Sequence, residues 1–182
     1  RDQILEGADL KAAAMEYLNE AVDALLETYC ASPAADEWDV DGLSKELKTF
    51  WPSTITEEQL ATSRNTKEMA ALIDEDATAH YERREAELTP TVMREVERQV
   101  MLRIIDQRWR EHLEEMDYLK EGINLRAMGQ KDPLTEWQRE GFEMFGSMMK
   151  AIAQDFVRYV MHVQVVRQDP QQAAAPAQPV SA

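Results

Sequence analysis

Cysteine is almost missing from this chain: Cys30 is the only one among 182 residues. It has no partner for an internal disulfide, which fits a reducing compartment, and no histidine beside it to make it a nucleophile. Glycine is scarce too, at 6 residues, and none of it builds a G-x-x-x-x-G-K-[ST] phosphate loop or a dinucleotide fingerprint. Nucleotide hydrolysis by this chain on its own is therefore not expected. Nothing approaches the ~20 apolar residues of a membrane-spanning helix, and no secretory leader is expected. Membrane association is expected to be peripheral or through a partner. Positive charge is in short supply, with 20 Lys and Arg against 35 Asp and Glu and a net charge of −15. That balance repels phosphate backbones and argues against nucleic acid as a partner. The small basic clusters Arg83-Arg84 and Arg108 with Arg110 read as solvated helix faces.

What the sequence does have is helical periodicity. Charged residues make up 30% of it, and apolar ones recur at spacings of three and four, the pattern of an all-α fold with many exposed faces. Arg1 to Glu6 begins in mid-pattern and reads as the end of a helix stopped by Gly7, so the chain is expected to be a piece of something longer. Asp9 is a good N-cap for a helix with Leu10, Ala14, Tyr17, Leu18, Ala21, Leu25 and Tyr29 on one stripe, ending near Cys30. Trp38-Asp39-Val40-Asp41 leads into a short helix with Leu43, Leu47 and Phe50 on one face, closed by Pro52. Thr56 and Gln59 form a capping-box pattern for another short helix. These elements, from about 8 to 64, are expected to pack separately around Trp38, Phe50, Trp51 and the leucine stripe, with all four tryptophans as apolar anchors.

A longer helix is predicted from Thr66 to about Glu87, with Met69, Leu72, Ile73 and Ala77 as its apolar face. Thr89-Pro90 marks a restart, with Thr as cap and Pro in the first helical position. A stripe of Met93, Val96, Val100, Ile104, Ile105, Leu113, Met116, Leu119 and Ile123 then continues to about Met128, a helix of roughly 55 Å. Beyond the turn Gly129-Gln130-Lys131-Asp132-Pro133, where Asp132 caps and Pro133 takes the first turn, the answering stripe is Leu134, Trp137, Phe145, Met148, Ile152, Phe156, Tyr159, Val160 and Val163. So short a connection forces the two helices antiparallel. Residues 167–182, with three prolines among Gln and Ala, are expected to be a disordered linker.

Candidate chemistry is thin. His112 and Glu115 lie three apart on one helix face, but a metal site of that kind needs matching ligands on the facing helix. That helix offers Glu136, Glu140 and Glu143, with no histidine before His162. A charged helix surface, with Glu111 and Glu115 near Arg108 and Arg110, is the simpler reading. His80 and His162 are isolated. Carboxylates for acid and base work need a pocket, and none is evident, so no catalytic residue is assigned.

Ile105-Asp106, Trp109-Arg110-Glu111-His112-Leu113, Met116-Asp117-Tyr118-Leu119, Gly122-Ile123, Leu125-Arg126 and Gln130-Lys131-Asp132-Pro133 follow in a series that resembles the C-terminal helical region of SecA, the motor ATPase of bacterial preprotein translocation. Phe142, Met144-Phe145 and Met148 continue it. The likeness is close over about Met93 to Val165, and Ile4-Leu5-Glu6-Gly7 through Trp38-Asp39 resembles the same family's helical wing. The resemblance implies the end of a scaffold helix at 1–7, a small helical wing at 8–75, a helical scaffold with a long antiparallel two-helix finger at 76–166, and a linker at 167–182.

It further implies that the finger tip, Met128, Gly129, Gln130, Lys131, Asp132 and Pro133, contacts an unfolded preprotein and a SecY-type channel. The hairpin would also restrain ATP hydrolysis by the remaining SecA domains, in the bacterial cytoplasm and peripherally at the inner face of the cell membrane. ATP and Mg would belong to those motor domains, and no cofactor is expected in this fragment. In the family a Cys and His metal-binding tail often follows the linker. Members often place a bulky aromatic where Met128 stands. Methionine, flexible and polarizable, suits unselective contact with many side chains, or simply packs the helix end. Met116, Met144, Met148 and Met149 are expected in the hairpin core. From the residues alone, a stand-alone helical-hairpin adaptor that binds partner helices along an apolar seam remains an alternative.

Overall fold

Caps decide where each helix starts. The computed structural model describes residues 9–126 and 132–165. Among them are α1 Leu10–Tyr29, α2 Val40–Phe50, α3 Glu57–Ala61, α4 Thr66–Leu88, α5 Pro90–Arg126 and α6 Pro133–His162, with a 3-10 turn at Ala35–Glu37 and no strand. Asp9 accepts from the Ala12 N–H at 3.1 Å, and Asp39 from the Gly42 N–H at 2.9 Å. Gly42 leaves room for that cap: a Cβ on it would lie 2.3 Å from Asp39 Oδ2 and 2.8 Å from Tyr29 Cε1, so one of those side chains would have to shift. Thr56 and Gln59 make the reciprocal capping box read from the sequence. Asn65 caps α4, its side chain accepting from the Glu68 N–H at 2.9 Å. The expected pieces at 1–7 and 167–182 lie outside the described residues.

Thr89 departs from the expected cap. Its carbonyl accepts from the Met93 N–H at 2.9 Å, as a cap's would, but its φ is 76° and its ψ 148°. A β-branched residue pays on the order of 1–3 kcal/mol there. The cause is the brevity of the connection, since α4 ends at Leu88 and α5 starts at Pro90. One residue has to turn the chain back on itself, so that Glu85 faces Arg94 and Tyr81 faces Glu97.

The stripes of α1, α4 and α6 converge on one core. Leu18, Ala21 and Leu25 of α1, Met69, Ile73 and Ala77 of α4, Leu43, Leu47 and Phe50 of α2, Met93 and Met101 of α5, and Phe156, Val157, Val160 and Met161 of α6 belong to a single buried cluster. Each such side chain contributes roughly 1.5–3 kcal/mol of apolar burial. The separate packing expected for residues 8–64 is therefore not what forms: α6 supplies the surface that α1 covers, as in the tilted ring pair of Tyr17 and Phe156 with centroids 5.3 Å apart. Periodicity finds an apolar face but cannot say which helix covers it. A division at 75 also falls inside α4.

Polar anchors lock this base. The Trp51 indole N–H donates to Asp76 Oδ2 at 2.8 Å, with Ser53 Oγ at 2.7 Å and Thr54 Oγ1 at 3.0 Å on the same carboxylate. Arg158 of α6 lies over the Phe50 ring, 4.2 Å from its centroid, and ion-pairs with Glu46. Glu97 is fully buried at 0% exposure. It pairs with Arg94 at 2.7 Å and accepts from the Tyr81 hydroxyl. Burial pushes its carboxyl above the usual range despite those partners. Lys11 to Glu85 at 2.7 Å and Arg94 to Glu85 at 3.5 Å join α1 to the same group.

Candidate functional site

The feature that leaves this base is the hairpin of α5 and α6. Arg108 reaches Asp155 with Nε at 2.7 Å, the His112 ring meets Phe145 at 5.9 Å between centroids, and a Cβ on Gly141 would touch Met116 Cε at 2.8 Å. As the number rises along α5 it falls along α6, so the two helices are antiparallel. At 37 residues α5 is roughly 55 Å long. The core cluster reaches only Ile105 on α5 and Ala153 on α6, leaving about 30 Å of hairpin beyond it. Among the described residues of that outer part, Ile123, His112 and Gly141 are buried in the seam. Gly141 matters there because the lack of a side chain lets the helices approach at Met116.

Asp132 starts the returning helix. Its side chain accepts from the Thr135 N–H at 3.1 Å and from Thr135 Oγ1 at 2.6 Å, and Pro133 takes the first helical position. The Thr135 hydroxyl, then its N–H, hold the exposed Asp132 carboxyl below the usual range. Met128, Gly129, Gln130 and Lys131 fall outside the described residues.

Several sequence expectations for this hairpin need correction. His112 is in the seam at 6% exposure, packed against Trp109 and Phe145, and is not on a charged surface. Of its helical neighbours Arg108 and Glu115 are charged while Trp109 and Met116 are apolar, so patterning left its burial undecided. Met116, Met144, Met148 and Met149 are half-buried along the seam's edges and do not form a closed core. Trp51 is buried, but Trp109 is 47% exposed, and Leu113, Leu134 and Phe142 are likewise open at 48%, 59% and 79%. Two helices alone cover only the stripes that face each other, so the flanks of a wider apolar stripe stay in solvent. Arg108 with Asp155 and Arg158 over Phe50 were not anticipated. Their only sequence signal is a cation beside an apolar stripe.

Two grooves flank the helices. One, of about 650 Å³, has Met144 and Met148 at its floor and Arg108, Glu111, Glu115, Arg139 and Glu143 on its walls. Arg108 bonds Glu111 at 3.0 Å, and Arg139 bonds Glu136 at 3.1 Å and Glu143 at 3.2 Å. The other, of about 1130 Å³, lies at the base and is lined chiefly by Val92, Val96, Ile104, Tyr159 and Val163. Among the described residues no His, Cys, Asp and Glu come together as a metal cluster, and no helix is long and apolar enough to cross a membrane. Among the described residues the arrangement offers surfaces and a long antiparallel arm.

Residues 1–164 match the family described as the SecA wing and scaffold domain. The chain is similar to the protein translocase subunit SecA of Beutenbergia cavernae, at 46% identity over 180 residues, which is 96% of this chain and 19% of that protein. A SecA of Clavibacter sepedonicus is 44% identical over 95% of the chain and 19% of its own length. SecA 1 of Streptomyces avermitilis is 42% identical over 91% of the chain and 18% of its own length. The chain thus spans about a fifth of the curated relatives it matches.

Proposed function

The chain belongs to the SecA wing and scaffold family, and from that premise we propose that it is the C-terminal arm of a SecA-type motor that drives preproteins through a SecY-type channel. In this reading the wing (8–75) and the scaffold with its two-helix finger (76–166) share one core and are divided within α4, and 167–182 is a linker. The finger tip, Met128 to Pro133, contacts the unfolded polypeptide and the channel, and the hairpin restrains ATP hydrolysis by the remaining domains, where ATP and Mg bind. The parent works in the bacterial cytoplasm, peripherally at the inner face of the cell membrane.

One observation carries the mechanical part. The lower half of the hairpin is held in the core through Phe156, Val157, Val160 and Met161, whereas the outer half is held by its own seam. An arm fixed at one end and zipped along its length transmits a displacement at its base to its tip with little bending. A loop would dissipate it. A tip whose sequence is short and polar, Gly129-Gln130-Lys131-Asp132, suits chains of any sequence, which must be met and released in turn.

The test uses the full-length parent with Cys30→Ala and a photo-crosslinker attached at Met128→Cys. A stalled preprotein should crosslink at this site, and the same probe at Glu75→Cys, on the exposed side of α4, should give none. Equal labelling at both sites, or none at the tip, would reject the tip contact.

A further inference from the structure

We infer that the buried ring of Tyr81, Arg94 and Glu97 is a positioning device: it fixes the bearing of the α5–α6 arm against α4 and α1 and adds no stability of its own. The inference rests on reading the hairpin as an arm, but the ring's geometry does not depend on what the tip meets. The Tyr81 hydroxyl donates to Glu97 Oε1 and accepts from Arg94 Nη2 at 2.7 Å. The same nitrogen reaches Glu97 Oε1 at 3.0 Å, and Arg94 Nε lies 2.7 Å from Oε2. Each member thus holds the other two. Glu97 is wholly enclosed and Tyr81 nearly so. Outside the ring, Arg94 and Lys11 share Glu85, so the linkage runs from α5 through α4 to α1.

Such a group is a poor source of stability. Desolvating a carboxylate and a guanidinium costs about what their attraction returns, and well-packed apolar residues of similar volume commonly serve as well or better. Its value lies in direction. Apolar packing is non-directional, and the α5 side chains buried beside the ring, Met93 and Met101, are flexible ones that repack readily. A two-point arginine–carboxylate pair accepts one geometry.

The turn that the ring closes supplies a second, independent observation. Thr89 keeps a φ of 76°, a strained value that persists only where the surroundings over-determine the backbone. Glu85 with Arg94, and Tyr81 with Glu97, join the two helices across that turn. Position magnifies the effect. Glu97 lies near the start of α5 and Arg126 at its end, roughly 44 Å on, so a tilt of about 10° at the ring carries the far end about 8 Å.

The test is electron paramagnetic resonance on the whole chain carrying Cys30→Ala and spin labels at Lys48→Cys on α2 and Lys120→Cys on the outer part of α5, both exposed positions. The variant replaces the ring with apolar side chains of like size, Tyr81→Phe, Arg94→Met and Glu97→Leu, and Lys11 keeps Glu85 paired in it. Urea unfolding should find the variant at least as stable as the unaltered ring, while the distance distribution between the labels broadens. Labels at Glu114→Cys and Ser147→Cys, exposed positions on the two hairpin helices, should report the same distance with either ring. Tyr81→Phe alone, which leaves the arginine–carboxylate pair, should broaden the first distribution less. In the full-length parent the triple variant should move several-fold less preprotein for each ATP hydrolysed. Loss of stability in the triple variant would make the ring a stability element and overturn the proposal. An unchanged distribution would overturn it as well, because the apolar core would then set the bearing, and so would undiminished transport by an arm whose distribution has broadened. Absence of a tip crosslink leaves the label distances unaffected, so this proposal and the tip contact fail separately.

Discussion

His112 of α5 stands edge-on to Phe145 of α6, ring centroids 5.9 Å apart with planes at 70°. Trp109 flanks the same imidazole at 5.5 Å. Three rings thus bridge the hairpin just beyond the last core residues, where little else is buried. Phe145 is 42% exposed, so Phe145→Ala should cost about 1–2 kcal/mol, well short of the ~3–5 kcal/mol for a fully buried ring. Hydrogen exchange should quicken along the outer hairpin and stay slow around Phe156. Loosening of both regions together would contradict a seam that holds the outer half by itself.

Thr89 predicts an unusual gain from glycine. Its φ of 76° strains a β-branched residue by on the order of 1–3 kcal/mol, while glycine loses only about 0.5–1 kcal/mol in chain entropy. Thr89→Gly should stabilise the chain by about 0.5–2 kcal/mol in urea unfolding, and Thr89→Ala, which keeps a Cβ, should gain much less. Destabilisation by glycine would mean that the threonine side chain contributes to the cap.

Much of this architecture was legible because it is local. Asp9, Asp39, the Thr56 and Gln59 pair, and Asp132 with Pro133 announce helix starts through side-chain chemistry that acts within three residues. The antiparallel hairpin follows from two long stripes and a short turn. What escaped is tertiary: α6 covering α1, His112 drawn into the seam, and the exposure of Trp109, Leu113 and Phe142. A stripe wider than one neighbour can cover looks the same in sequence whether its flank is buried or open. The strain at Thr89 was hidden too, since Thr-Pro is an ordinary helix start and only the brevity of the α4 to α5 turn makes it costly.

Two glycines of α6 should respond oppositely to added bulk. Nothing lies within 4 Å of a Cβ built on Gly146, whereas on Gly141 it meets Met116 Cε at 2.8 Å and Sδ at 3.3 Å. Gly146→Ala should therefore stabilise by about 0.5–1 kcal/mol, the helix-propensity difference. Gly141→Ala should come out near zero, because the flexible end of Met116 can shift. Gly141→Val, broader at Cβ, should push the helices apart and cost about 1–3 kcal/mol. Thermal unfolding of the three variants decides the matter, and a stabilising Gly141→Val would show that the seam is looser than its geometry.

Asp76 gives the base a pH signature. Burial works to raise its carboxyl, but the bonds from Trp51, Ser53 and Thr54 outweigh it and bring the value below the ordinary 3.8. An acid whose pKa falls on folding binds fewer protons folded than unfolded, so its contribution is complete above about 3.8 and fades as pH drops through the lower folded value. Asp76→Asn keeps the shape and removes the charge that three donors share. At neutral pH it should cost about 1–2 kcal/mol, charged hydrogen bonds discounted for partial exposure. Followed by urea unfolding from pH 7 downward, the gap between wild type and variant should hold steady until about pH 4 and then narrow. A gap that stays constant into strong acid would show that Asp76 acts through packing alone, and one that widens would mean its folded pKa is raised.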